Sequence, residues 1–118
     1  MDINNDTSSI LNSVKKMLGL TIDYTAFDAD IIMHINSVFS NLAQMGVCPN
    51  EDGFEITSSE ETWDEFIQDD KLINSVKTYV YLKVRLLFDP PQNSSLIESI
   101  NRQLNEFEYR LYTQKGGY

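Results

Sequence analysis

Apolar residues recur along this chain at three- and four-residue spacing in four stretches, the period of a helix with one buried face. The first stretch holds Ile10, Leu11, Val14 and Leu18. Ser8 or Ser9 stands where such a helix needs a cap, and Gly19 where a left-handed residue ends it. The second covers 28–45 and carries Ile31, Ile32, Ile35, Val38, Phe39, Leu42 and Met45 before Gly46 stops it. The third, 70–88, puts Leu72, Ile73, Val76, Tyr79, Val80, Val84 and Leu87 on one face, a stripe wide enough for a central element. Asp89-Pro90-Pro91 ends it, because proline lacks the amide that a helix needs and restricts the residue before it. The fourth opens on Ser95-Leu96-Ile97-Glu98, a capping-box pattern, and repeats Ile100, Leu104, Phe107 and Leu111 up to Gly116-Gly117.

Between the second and third stretches the period breaks. Residues 46–59 mix Pro49 and Gly53 with a brief alternation, Phe54-Glu55-Ile56-Thr57, which predicts an ordered loop containing an extended segment or a small hairpin. Ser58 or Ser59 then stands where it can cap a helix of one to two turns holding Trp63, Phe66 and Ile67, with Glu60 and Glu61 at the positive end of its dipole. The expected fold is all-α: a small bundle of about four helices, two of them long. A single domain over 1–118 is expected, with flexible tails at about 1–7 and 113–118. Trp63, Phe66 and Phe107 are bulky aromatics at helical spacing, a pattern met more often in cores than at interfaces.

Charge changes the picture. The 118 residues include 18 acidic and 9 basic side chains, a formal charge of -9 that opposes a phosphate-gripping surface. The acids are segregated: Glu51, Asp52, Glu55, Glu60, Glu61, Asp64, Glu65, Asp69 and Asp70 form a block without one Lys or Arg. The next helix answers with Lys71, Lys77, Lys83 and Arg85. Such a split is satisfied either inside one subunit or by head-to-tail contact between copies, and the sequence leaves both open.

A search for chemistry returns little. His34 is the only histidine, on the polar side of its helix with Ser37 and Asn41, where an exposed or capping role is expected and no nucleophile–base pair forms. Cys48 is followed by acidic residues, the wrong setting for an activated thiolate, and alone it makes no internal disulfide. Asn50-Glu51-Asp52-Gly53 lacks the alternating ligand register of a calcium loop. Asp64 and Glu65 are adjacent on a helix and point apart, which does not suit paired acid–base work. No enzyme, cofactor or metal is expected. The acidic, polar start and the lack of a membrane-length apolar run predict a soluble chain made in a reducing cytoplasm. Tyr118 follows a Gly-Gly pair, where disorder and docking into a partner are equally open.

One long string of residues carries a resemblance. Leu72-Ile73-Asn74-Ser75-Val76-Lys77-Thr78-Tyr79-Val80-Tyr81-Leu82-Lys83-Val84-Arg85-Leu86-Leu87-Phe88-Asp89-Pro90-Pro91 resembles the long helix and double-proline end of head–tail connector (adaptor) proteins of long-tailed phages. Gly53-Phe54-Glu55-Ile56, Thr62-Trp63 and Glu106-Phe107-Glu108-Tyr109-Arg110-Leu111 are similar too, so the likeness spans roughly residues 10–112. Two positions depart from the family pattern: Cys48 replaces a second glycine after Gly46-Val47, and Tyr109 replaces a tryptophan.

The resemblance implies a virion protein forming a ring of about a dozen copies between the portal and the next neck protein, with DNA crossing the lumen unread. Under it, Glu60, Glu61, Trp63, Asp64, Lys77, Lys83 and Arg85 become candidates for contact with neighbouring subunits or the neck, and Tyr109, Arg110, Tyr112 and Tyr118 for docking to the portal. The competing reading is a small acidic DNA mimic that inhibits a host nucleic-acid-binding protein. That role needs carboxylates spaced like phosphates, whereas these cluster in one loop region.

Overall fold

A computed structural model of the chain describes residues 8–47, 53–67 and 70–114, with the backbone alone at 70, 71 and 112–114. Five helices follow in order: α1 (Ile10–Met17), α2 (Asp28–Gln44), α3 (Trp63–Phe66), α4 (Asp70–Phe88) and α5 (Ser94–Gln114). The all-helical reading therefore stands, with three long helices in place of the two expected and α3 reduced to a single turn. No β-strand forms among the described residues, so the 53–57 segment is extended and not a hairpin.

The helix ends follow local chemistry. Ser9 caps α1, its side chain accepting from the Asn12 amide at 3.2 Å. Gly19 and Gly46 take φ of 86° and 81°, the left-handed geometry that lets Leu20 and Val47 turn back onto helix carbonyls. Two expected caps move. Thr62, not Ser58 or Ser59, precedes α3, and Glu65 closes the box by accepting from the Thr62 amide at 2.9 Å. Glu60 and Glu61 consequently lie before α3, because the Glu61 carboxylate turns back onto Thr57 and Ser58. Asn93 starts α5 one residue early, its Oδ1 accepting from the amides of Ser95 and Leu96 at 2.8 and 3.2 Å.

α4 lies between α2 and α5, the central position its wide stripe predicts, and α1 packs on α2. Ile31, Ile35, Val38, Phe39 and Leu42 of α2 meet Leu72, Val76, Tyr79, Val80 and Val84 of α4 in one continuous core. Leu87 departs from the expected stripe. It is 51% exposed in the last turn before the prolines, while Leu82, on the other side of α4, is buried.

Lys15 is the unexpected member of the interior, 1% exposed on the buried face of α1. Its ammonium donates to the Ile22 carbonyl at 2.9 Å and rests 2.8 Å from Asp28 Oδ1. A buried lysine is retained only with such partners, since an unpaired charge there is strongly destabilising.

Candidate assembly surfaces

The 53–67 segment is held from three sides. Asn36 of α2 bonds both backbone groups of Ile56, accepting from its amide at 2.8 Å and donating to its carbonyl at 3.0 Å. Phe54 and Phe66 close around Phe39, with Phe39 and Phe66 stacked at 4.4 Å and 16°. Residues 8–10 pair antiparallel with 61–63, through Ile10 N to Glu61 O and Trp63 N to Ser8 O, each at 3.0 Å. Ser9 Oγ donates to the Ser59 carbonyl at 2.7 Å.

This framework fixes the acidic side chains. Glu61 turns inward, accepting from the Thr57 amide and hydroxyl at 2.9 and 3.0 Å and from the Ser58 amide at 3.2 Å. Partial burial pushes its carboxyl up, but the bonds from Thr57 and Ser58 outweigh that and hold it below its ordinary value. Glu55, Glu60, Asp64 and Glu65 are exposed.

Trp63, proposed from sequence both for the core and for the interface, is 3% exposed. Its indole donates to Ser13 Oγ at 2.9 Å, and the Lys77 ammonium sits 5.8 Å from its ring centre. Trp63 is thus a member of the core. Phe66 is fully buried and Phe107 half-buried. On α4, Lys83 lies 6.0 Å from the Tyr79 ring, and Arg85 bonds the Asp89 carbonyl at 3.0 Å. Among the described residues no ion pair joins the carboxylates of 55–65 to Lys77, Lys83 or Arg85. The charge split read in the sequence is left unclosed there.

α5 packs chiefly on α4 and turns its other side outward. Tyr109 is 72% exposed beside a shallow depression lined by Asn105, Glu106 and Arg110. The Arg110 guanidinium lies 4.9 Å from the Phe107 ring and 4.0 Å from Glu106. The inner side is pegged by Tyr79, whose hydroxyl donates to Glu108 Oε2 at 2.8 Å. The Tyr112 side chain, all of Tyr118, Cys48 and the 50–52 part of the acidic loop lie outside the described residues.

A third surface escaped the sequence reading. Tyr24, Phe27 and Phe88 form a row of edge-to-face contacts at 5.7 and 5.3 Å, and Tyr24 and Phe27 are 46% and 40% exposed. His34, expected on the open polar side of α2, instead leans against Phe88 at 6.4 Å and is half-buried. Tyr24 and Phe27 lie in the irregular 18–27 connection, which no periodicity reaches.

No described helix is long and apolar enough to cross a membrane. Comparison with curated proteins and with solved structures finds no match. The family model described as "Phage connector protein" matches residues 10–118, nearly the whole chain and every helix described above. The chain therefore belongs to the phage connector protein family.

Proposed function

We propose that this connector is a ring-forming subunit seated between the portal and the next neck protein, joining the filled head to the tail while DNA passes through its centre. The family match across 10–118 carries the reading. The absence of an ion pair from 55–65 to Lys77, Lys83 or Arg85 among the described residues supports the ring: exposed carboxylates at Glu60 and Asp64 on one copy meet Lys77, Lys83 and Arg85 on the next, a head-to-tail contact that closes into a cycle. The net charge of -9 suits a channel that must not grip DNA, since negative walls repel phosphate. It also opposes self-association of free subunits until a portal template overcomes the repulsion. The outer side of α5 with Tyr109 and Arg110, together with Tyr112 and Tyr118, serves to dock the portal. The work is done by assembly and not by catalysis.

Phage carrying a stop codon early in this reading frame tests it. Electron microscopy of the lysate is expected to show separate heads and tails, with joining restored by the protein supplied in trans. Normally joined virions without the protein contradict the proposal.

A further inference from the structure

The 18–27 connection is irregular, most of its side chains are exposed, and it carries the outer half of the aromatic row. Its middle and its far end are held from beneath by one group. The Lys15 ammonium spans from the Ile22 carbonyl to the Asp28 carboxylate, at 2.9 and 2.8 Å, with 1% of the residue exposed. Asp28 begins α2, which has no side-chain cap of its own, and its Oδ1 makes no hydrogen bond besides this ionic contact. From outside, the described ring contact onto the connection is Phe88 against Phe27 at 5.3 Å.

We infer that Lys15 is a latch: its buried ammonium holds residues 18–27 down as a strap, and the strap with its aromatic row opens as a unit while the α2–α4–α5 core stays closed. Three physical points carry this. A connection with few buried apolar side chains has a lower local opening free energy than the packed helices beside it. An ammonium bonded to a carbonyl and a carboxylate is an all-or-none tie, because releasing either leaves a buried charge short of a partner. The strap leaves α1 at Gly19, with φ 86°, and reaches α2 at its first residue, so opening it breaks end bonds such as Leu20 N to Lys15 O and Ile31 N to Phe27 O and spares the middles of both helices. Lys15 is on this account a positioning residue for the Tyr24–Phe27–Phe88 surface, which it does not itself touch through any described ring contact.

Hydrogen exchange followed residue by residue tests the latch on the full chain. In the wild type, the bonded amides of Leu20 and Tyr24 are expected to exchange together and at least tenfold faster than those in the middle of α2 and α4. Exchange of the strap only at the rate of the core would overturn the inference without any variant. In the double variant Lys15→Met/Asp28→Leu, which leaves no orphaned charge, strap exchange is expected to rise tenfold or more. Val38 and Val80 amides should keep their protection, and Trp63 emission should stay that of a buried indole. Unchanged strap exchange, or an equal rise throughout α2 and α4, would show Lys15 to be an ordinary core residue.

Discussion

Asn36 and Ile56 are joined by two hydrogen bonds, so one side chain on α2 does for the extended 53–57 segment what a neighbouring strand would do. Ile56 is 1% exposed, and its backbone groups have no water to fall back on. Asn36→Ala is expected to cost about 2–6 kcal/mol, at about 1–3 kcal/mol for each of the two buried groups left unpaired. Urea unfolding followed by circular dichroism measures it, as a lower midpoint with unchanged slope. Asn36→Asp keeps the acceptor and loses the donor, and should fall between wild type and alanine.

Tyr79 pegs α5 to α4. Burial first, then the hydrogen bond and negative charge of Glu108, push its phenol well above the ordinary range. A folded-state value above the unfolded one means the neutral phenol is favoured by folding. The resulting stability is complete below about pH 10 and declines as pH rises further. Tyr79→Phe is expected to lose about 1–3 kcal/mol near neutral pH. The difference between the two proteins should shrink in chemical denaturation series carried above about pH 10. A constant difference across that range would contradict the Glu108 assignment.

Glu61 has the opposite sign. Its carboxyl is held below its ordinary value, so it contributes stability that is present above the unfolded value and lost as pH falls through the folded one. Glu61→Gln should therefore be less stable than wild type at neutral pH, with the two denaturation curves converging below about pH 4. Because Glu61 also orders Thr57 and Ser58, the same variant should speed exchange of those two amides.

The head-to-tail contact predicts a charge-swap result. Glu60→Lys alone and Arg85→Glu alone should each weaken assembly on the portal, and the double variant should recover part of the loss, as measured by sedimentation of the mixture. Salt tests the opposing term, the net repulsion between free chains of charge -9. Screening at about 0.5–1 M, where the Debye length is only a few ångströms, is expected to promote rings without portal. Sedimentation indifferent to salt would remove repulsion as the brake on assembly.

Much of the fold was legible because its signals are local. The stripes from Ile31 to Leu42 and Leu72 to Val84, the glycines at 19 and 46 and the prolines at 90 and 91 place α1, α2 and α4 and make α4 central. What was missed depends on contacts distant in sequence or on a choice between equal chemistries. Thr62 competes with Ser58 and Ser59 as a cap, and only the inward turn of Glu61 decides it. Asn93 and Ser95 are both good cap residues two apart. Lys15 looks like a solvated lysine until Asp28, thirteen positions on, is brought beneath the strap. Of the candidate site, the charge split was readable, and the lack of an ion pair from 55–65 to Lys77, Lys83 or Arg85 among the described residues was not. The Tyr24–Phe27–Phe88 row joins an irregular connection to the end of α4, a pairing that no spacing rule foresees.

Mass photometry of the purified chain, alone and mixed with the portal protein of its own phage, tests ring assembly on the portal. Free subunits are expected when the chain is alone at low salt, and one discrete portal complex heavier by a full ring when the two are mixed. A portal mass unchanged by the chain would contradict ring assembly, the more so if the chain instead bound tightly to a host DNA-processing enzyme.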